Sequence, residues 1–168
     1  MSSGGGSEET NFRESDRLVA LTLDEQSIGR GSPDQEHERA VAIYDILESN
    51  HFRIAEHDAG PYWLKLGIVE RRLAFEIMTQ DGAPVMTHLL SLTPFRRIIR
   101  DYGIVCDNYY NAIRTASAAQ IEAIDMGRRG LHNEAADLLA QRLDGKVKVD
   151  FDTARRIFTL IFALHWKG

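Results

Sequence analysis

Apolar residues alternate with other residues in several segments, and alternation is the period of a half-buried β-strand. One such segment is Leu18–Leu23, and a longer series of segments runs through Tyr62–Leu92 with an Asp81–Gly82 turn inside it. A short strand is also predicted over His51–His57, ahead of a turn that ends at Pro61. Because most links between these segments are short, the pattern predicts a four- to five-stranded antiparallel meander sheet.

Apolar residues recur at three- and four-residue intervals in other segments, which is typical of helices that bury one face. Ser32 and Gln35 fit a capping box, so a helix is predicted to begin there and to end near Ser49. A second helix is predicted to begin at Pro94, with Thr93 as its N-cap. Each start matches the local chemistry that satisfies the first amides of a helix.

Two more helices are predicted in the last third of the chain. A capping box at Ser117 opens the first of them, and Gly127 and Gly130 predict a kink or a break within it. The last helix opens at Asp152 and is apolar nearly all round, so it should lie in the centre of the core, anchored by Trp166. Strands that precede a set of about four helices indicate an α+β fold.

Composition divides the chain into a tail and one domain. Residues 1–16 are rich in Ser, Gly and Glu, which predicts a disordered tail before a single domain over residues 17–168. The longest nearly unbroken apolar run, Ile157–Leu164, is far shorter than the roughly 20 residues of a membrane span. There is no signal-like start, and the single Cys106 cannot form an internal disulfide, so we expect a cytoplasmic protein with no membrane segment.

The net charge of −5 hides an asymmetry along the chain. Residues 1–60 carry 13 acids and 5 bases, whereas residues 61–168 carry 12 acids and 15 bases. Most of these bases are arginines, which suit forked recognition of carboxylate and phosphate groups. Adjacent arginines occur as four pairs: Arg71–Arg72, Arg96–Arg97, Arg128–Arg129 and Arg155–Arg156.

Local partners distinguish these pairs. Asp125 precedes Arg128–Arg129 by three and four residues, and Asp152 precedes Arg155–Arg156 in the same way, which is the favourable order for helical ion pairs. Ion pairs within the helices therefore explain both arginine pairs without a ligand.

The arginines after Thr93 have poorer local partners. Arg96 and Arg100 lie one turn apart at the helix end where the macrodipole disfavours cations. Arg97 can reach Asp101, but Arg96 and Arg100 have only each other at helical spacing.

Two explanations of these arginines are open. In the first, a carboxylate from elsewhere in the fold neutralises them, with Asp45, Glu134 and Asp150 as candidates. In the second, an anion or an acidic partner binds at the helix N-terminus, where free amides of Phe95 and Arg96 would add to the guanidinium groups.

Searches for catalytic motifs give no match. The chain contains no phosphate-binding glycine loop, dinucleotide fingerprint, serine elbow or zinc-protease motif. Its six histidines have no ligand spacing and it has no second cysteine, so neither a metal nor another cofactor is expected. His88 and His132 could serve as an acid or base, although a hydrogen-bonded structural histidine is the commoner case.

Several strings in the chain resemble a known family: SIGR, PDQEHERAVAIYDILE, THLLSLTPFRRIIRDY, IEAIDMGRRGLHNEAADLL and DFDTARRIFTLIFALHWKG. They are similar to the uncharacterised protein family 0262, small proteins of alphaproteobacteria. The resemblance covers about Ser15–Gly168, and the Gly/Ser/Glu-rich start departs from it. It implies a cytoplasmic, single-domain bacterial protein with no assigned activity, so it assigns no catalytic residue.

The sequence thus favours a non-catalytic regulatory or interaction protein that recognises an anionic group or an acidic partner at an arginine-rich helix N-terminus. The alternative is an enzyme that acts on a phosphorylated or carboxylated small molecule, with His88 or His132 as the acid or base. The overall acidity disfavours nucleic acid, and a homo-oligomer is compatible with the sequence. The predicted ligand-binding residues are Thr93, Arg96, Arg97 and Arg100, with His88, Arg128 and His132 as neighbours.

Overall fold

The computed structural model describes residues 11–165, and it confirms an α+β fold. The strands are β1 (Leu18–Leu23), β2 (Phe52–Ile54), β3 (Tyr62–Val69), β4 (Arg72–Thr79), β5 (Pro84–Ser91) and β6 (Val147–Val149). The helices are α1 (Glu25–Ile28), α2 (Pro33–Glu48), α3 (Arg96–Thr115), α4 (Ala118–Leu143) and α5 (Phe151–His165). A 3-10 turn, Thr93–Phe95, precedes α3.

The main sheet is mixed and has the strand order β1-β3-β4-β5. Strands β3, β4 and β5 are antiparallel neighbours, as the meander pattern predicted. Strand β1 instead runs parallel to β3, with Leu21 opposite Leu64. The prediction of an entirely antiparallel sheet was wrong at β1, because the chain passes through α1, α2 and β2 before it reaches β3, and so long a connection allows a parallel crossover.

The strand predicted over His51–His57 belongs to a second sheet. Its ordered part is β2, which pairs antiparallel with β6 and places Phe52 opposite Val149. The sequence pattern did not identify β6, because three residues after the Asp144–Gly145 turn are too few to show an alternation. The buried Phe52 ties this small sheet to the core.

The long helices pack in the order α2, α5, α4 and α3. Helix α5 is central, as predicted, and it buries Ile157, Phe158, Leu160 and Ile161 completely. Each such side chain contributes about 1.5–3 kcal/mol to folding when it leaves water. Between Asn11 and His165, no helix combines the length and the apolar character needed to cross a membrane.

Both predicted capping boxes are present. The Ser32 hydroxyl accepts a hydrogen bond from the Gln35 amide at the start of α2, and Ser117 and Gln120 make the same bond at the start of α4. In each box the glutamine side chain accepts a bond from the serine amide in return. Two amides at each helix start are thereby satisfied.

Helix α4 runs without interruption through Gly127 and Gly130, so the predicted break was wrong. Glycine in a helix interior costs roughly 0.5–1 kcal/mol relative to alanine. The packing of Ala135 and Leu139 in the core offsets this local cost.

Packed structure begins before the expected boundary near Asp16. The ring of Phe12 stacks on His51 at a centroid distance of 5.0 Å. The Asp16 side chain is only 1% exposed, and its carboxylate accepts a 2.8 Å hydrogen bond from the Arg13 amide. Residues 11–16 are therefore held by one buried carboxylate and one stacked ring, whereas residues 1–10 and Trp166 lie outside the described part of the chain.

Candidate functional site

The start of α3 differs from the predicted cap. Residues Thr93–Phe95 form a 3-10 turn, and the N-cap of α3 is Phe95, not Thr93. The Phe95 amide donates to the Leu92 carbonyl at 2.9 Å, and the Arg96 amide donates to the Thr93 carbonyl. The two amides that were expected to be free for an anion are therefore occupied, because the tighter turn satisfies them internally.

The arginines of α3 are all exposed. Arg97 Nε lies 3.7 Å from Asp101 Oδ2, and Arg100 Nε lies 3.7 Å from Asp101 Oδ1. Across residues 11–165, the Arg96 side chain makes no hydrogen bond or ion pair. One local carboxylate thus serves two of the three guanidinium groups.

The three arginines do not converge on a common pocket. Arg97 lines a groove of about 460 Å³ between α3 and α4, to which neither Arg96 nor Arg100 contributes. The groove contains more acidic than basic side chains, because Glu134 and Asp137 join Asp101 along its wall. It therefore gives Arg97 acidic neighbours and no enclosed site for an anion.

The two arginine pairs with predicted local partners behave differently. Both members of Arg128–Arg129 pair with Asp125, as predicted. Neither Arg155 nor Arg156 forms the ion pair with Asp152 that the sequence predicted. Arg155 approaches His132, and Arg156 donates a 2.9 Å hydrogen bond to the Ser49 carbonyl. These tertiary acceptors lie within reach because α5 is surrounded by other elements.

Arg128 makes several contacts and is only partly exposed. Its Nη2 lies 2.5 Å from Asp125 Oδ1, and the Nε of Arg129 lies 3.2 Å from Oδ2 of the same carboxylate. The guanidinium carbon lies 4.1 Å from the ring centroid of Tyr109, a cation–π distance. Burial alone would lower the pKa of Arg128, but the hydrogen bond and the charge of Asp125 raise it.

The His132 ring contacts α3 and α5, and its ring contacts include no arginine of α3. Its ring packs against Tyr102 and Phe158 at centroid distances of 5.4 and 6.0 Å. Its Nε2 lies 2.9 Å from the Arg155 carbonyl oxygen. Burial lowers the pKa of His132, and the nearby arginines lower it further.

His88 faces the C-terminal end of α4. Its ring makes an edge contact with Phe75 at 6.3 Å, and its Nε2 is enclosed without a partner among the described residues. Burial lowers the pKa of His88, as does the charge of Lys146, although a hydrogen bond to the Arg142 backbone opposes them. None of these contacts of His88 involves Arg128 or an arginine of α3.

A larger cleft of about 930 Å³ was not predicted from the sequence. It lies between the start of α2, the middle of α3 and the end of α5, and we call it the α2–α3 cleft. Arg30 and Arg39 line one side, and Tyr102, Cys106 and Arg128 line the other. Among the predicted site residues, only Arg128 contributes to it.

Arg39 was missed although the sequence contains a signal for it. The residue occupies the same stripe of α2 as the buried Ala42 and Ile46, and a charged residue on a buried face requires a partner. Its Nη1 donates to the Gly29 carbonyl at 2.9 Å and lies 3.0 Å from Glu36 Oε2. The Arg39 side chain is 8% exposed.

Tyr102 and Cys106 form a polar pair on the opposite wall. Burial raises the pKa of the Tyr102 hydroxyl and of the Cys106 thiol, so both remain protonated near neutral pH. Within the described ranges, no three His, Cys, Asp or Glu side chains come together in a way that could hold a metal ion. The lining thus combines a protonated hydroxyl and a protonated thiol with three arginines and with the exposed carboxylates of Asp34, Glu38 and Asp107.

Comparison with known proteins gives a consistent result. The family model described as Uncharacterised protein family (UPF0262) matches residues 15–167. A UPF0262 protein of Methylobacterium radiotolerans is 70% identical over 152 residues, which are 90% of this chain and 94% of that protein. A relative from Bradyrhizobium sp. is 63% identical over 153 residues, 90% of this chain and 91% of its own. No solved structure matches the chain.

Proposed function

The chain belongs to the uncharacterised protein family UPF0262, and we propose that it is a non-catalytic interaction protein that recognises an acidic partner protein. The contact surface is the arginine face of α3, formed by Arg96, Arg97 and Arg100. The observation that carries the proposal is the shortage of ion pairs on this face, where three exposed guanidinium groups share one ion-pair partner among the described residues, Asp101.

An acidic protein fits this face better than a small free anion. A small anion gains most of its affinity from convergent donors and free helix amides. Here the Phe95 and Arg96 amides are occupied, and Arg97 lies in a groove that Arg96 and Arg100 do not share. Carboxylates spread along a partner's surface can meet separate guanidinium groups one by one.

The existing ion pairs do not compete strongly with such a partner. Asp101 lies 3.7 Å from both Arg97 and Arg100, and all three side chains are exposed or nearly so. Exposed ion pairs are worth about 0–1 kcal/mol, so a partner's carboxylate can replace Asp101 at little cost. Arg96 has no pair to lose within the described structure.

An exposed apolar residue continues the same face. Ile104 follows Arg100 by four residues, which places it one turn further on the same side of α3, and it is 48% exposed. Interfaces gain most of their energy from a few well-buried contacts near the centre, surrounded by polar groups. Ile104 would supply such an apolar contact beside the arginines.

The positions of the histidines support a non-catalytic function. Both ring nitrogens of His132 face Arg155, and His88 faces Arg142 and Lys146. No described contact joins either ring to Arg96, Arg97 or Arg100, whereas an acid or base acting on a bound anionic substrate would have to lie beside them.

Fluorescence anisotropy with a labelled deca-glutamate peptide tests the proposal. The parent chain should bind the peptide saturably, and added salt should weaken the binding because exposed charges are screened. The R96Q/R100Q double variant should bind at least about fivefold more weakly, equivalent to roughly 1 kcal/mol. Parent binding that does not saturate would refute the acidic-partner proposal.

Arg114→Gln provides the matched control. Arg114 is an exposed arginine on the same helix, about 21 Å along the axis from Arg100, and its side chain hydrogen-bonds only to Asn111 among the described residues. A loss of peptide binding in R114Q as large as that of R96Q/R100Q would show that net charge, not the arginine face, governs the interaction.

A further inference from the structure

We propose that two copies of this chain pair through the second half of α3, with the two helices antiparallel. The contact residues are Asp107, Tyr110, Ile113 and Arg114, which we call the outer α3 face. The proposal rests on an apolar stripe that continues beyond the core, on two charges with complementary spacing and on an open space beside the stripe. It does not depend on the arginine face, which lies at the other end of α3.

The far end of the α3–α4 hairpin extends beyond the core. Helix α3 packs mainly along α4, and its first half also contacts α5, where Tyr102 meets Phe158 and Phe162. Between residues 107 and 127, all of which the structure describes, Ala112 alone is buried. Helices in proteins take most of their stability from packing an apolar face against other elements. This end of the hairpin therefore offers surface for further packing.

An apolar stripe on α3 continues past the point where the core ends. Its members recur at intervals of four and three residues, which is the spacing of helices that pair along one seam. Ile99 and Gly103 are buried, and Cys106 is half-buried. Tyr110 and Ile113 follow on the same seam and are 61% and 50% exposed. Described residues thus cover the seam at the start of α3 and leave it uncovered at the end.

Two charges beside the exposed part of the stripe select a second copy of this chain. Asp107 and Arg114 are exposed, lie on the same side of α3 seven residues apart and make no ion pair with a described residue. When two α3 helices pair antiparallel about a two-fold axis near Asn111, Asp107 of each copy comes level with Arg114 of the other. Charges that flank a helix seam set the orientation of the pair. A parallel pair would form neither ion pair.

The same register joins the exposed apolar side chains. Tyr110 of one copy packs beside Ile113 of the other, and the two-fold axis repeats this contact. Aromatic side chains bury about 150–250 Å² each, and tyrosine is enriched at interfaces because its hydroxyl can remain in water. Four apolar side chains flanked by two ion pairs make a small interface, so we expect a dimer that dissociates in the micromolar range.

The α2–α3 cleft leaves space for the second copy beside this face. Cys106, Asp107 and Tyr110 line the cleft on its α3 side, and the start of α2 lies across a volume of about 930 Å³. In the antiparallel register, Ser117 of the second copy comes level with Cys106, so residues 116–119 at the tip of its hairpin lie over the cleft. These residues are alanines and a serine, which need little room. The dimer therefore closes a cleft that one copy leaves open.

Analytical ultracentrifugation of the parent chain between about 1 and 500 µM tests the proposal. The chain should change from monomer to dimer with a Kd of about 100 µM or tighter, and Y110S/I113S should weaken association at least about tenfold. V41S/Y44S is the matched control, because Val41 and Tyr44 on α2 are 44% and 64% exposed, much as Ile113 and Tyr110 are. It should dimerise within about twofold of the parent. A parent chain that stays monomeric, or an equal loss in V41S/Y44S, would overturn the proposal.

Charge reversal tests the antiparallel register. In D107R alone and in R114D alone, the two residues that should attract each other carry the same charge, so each variant should associate at least about tenfold more weakly than the parent. An equimolar mixture of the two should recover association to within about threefold of the parent, because each arginine then faces an aspartate of the other variant. The double variant D107R/R114D should recover it for the same reason. A mixture that associates no better than its components would overturn the antiparallel contact.

The dimer contact and the arginine face fail separately. In the antiparallel register, α3 of the second copy ends near Asn108, so Arg96, Arg97 and Arg100 stay uncovered. Loss of peptide binding therefore does not imply loss of the dimer, and the reverse also holds.

The same variants measure this independence. R96Q/R100Q should dimerise like the parent, and Y110S/I113S should bind the glutamate peptide like the parent. R114Q should weaken dimerisation and retain the peptide, so it remains the control for peptide binding. Far-ultraviolet circular dichroism confirms that each variant is folded before its association is compared. If Y110S/I113S unfolds, the mixture of D107R and R114D still decides whether the outer α3 face forms the contact.

Discussion

Both ring nitrogens of His132 face the same residue, Arg155. Nε2 lies 2.9 Å from the Arg155 carbonyl oxygen, and Nδ1 lies 3.3 Å from its Nη2. This arrangement assigns the proton of the neutral ring to Nε2, which donates to the carbonyl, and leaves Nδ1 to accept from the guanidinium group. A second proton on Nδ1 would face a cation and lose its acceptor.

The first prediction follows from that assignment. Burial and the nearby arginines hold the pKa of His132 below its ordinary value of 6.5, and burial also lowers the pKa of His88. The unfolded chain therefore binds these protons at higher pH than the folded chain does. Stability from His132 should be fully present above pH 6.5 and should decrease as the pH falls below it, by at most about 1.4 kcal/mol per pH unit for each proton.

Denaturant unfolding between pH 8 and pH 5 measures this dependence. His132→Gln should flatten the slope by up to one proton. An identical slope in H132Q and the parent chain would show that His132 is not held neutral by its surroundings.

Alanine at the two exposed glycines of α4 should stabilise the protein. A Cβ added at Gly127 or at Gly130 would have no heavy atom within 4 Å, so no clash opposes the gain in helix propensity. We expect about 0.5–1 kcal/mol per substitution from thermal or denaturant unfolding. Gly145→Ala is the control and should destabilise, since Gly145 has a φ of +87°. A loss of stability in G127A would contradict the expected gain in helix propensity.

Removal of residues 1–16 should destabilise the protein relative to removal of residues 1–10. The longer deletion removes the ring of Phe12 from His51 and the buried carboxylate of Asp16, together with the Asp16 carbonyl that accepts from the Phe52 amide at 2.8 Å. We expect a difference of about 2–4 kcal/mol in the free energy of unfolding, from lost burial and hydrogen bonds. Equal stability of the two truncated chains would show that residues 11–16 are dispensable for the fold.

Neutralising Arg96 and neutralising Arg39 should have different effects on the free energy of unfolding. Arg96→Gln should change the free energy of unfolding by less than about 0.5 kcal/mol, because its side chain is exposed and makes no ion pair with a described residue. Arg39→Gln should cost about 1–3 kcal/mol, since it leaves the Gly29 carbonyl without this donor and leaves Glu36 with only the Gly31 amide. A substantial loss of stability in R96Q would contradict its assignment to a contact surface.

Local chemistry carried most of the successful predictions. Ser32 and Ser117 start their helices as predicted, because a capping box depends only on residues three positions apart. The predicted cap at Thr93 failed for an equally local reason, since Pro94 and Phe95 continue into a 3-10 turn that the sequence did not distinguish from the first turn of α3.

The other main misses concern features that depend on distant residues. The direction of β1 is set by its partner β3 and by the route of the chain between them, which alternation does not encode. The α2–α3 cleft joins Arg39 to Arg128, two residues that are far apart in sequence and meet only through packing around α5. Sequence spacing therefore identified Arg128 through Asp125 but gave no indication that Arg39 lines the same cleft.

The parallel pairing of β1 with β3 also bears on how the protein folds. Strand β3 pairs with β4, and β4 pairs with β5. These pairs can form early, because closing a short loop costs little entropy. Joining Leu18 to Tyr62 requires a much longer loop to close, so β1 should complete the sheet only after α2 has docked on α5. The last strand to be added would then be the first in the sequence, so a chain emerging from the ribosome makes β1 long before its partner exists.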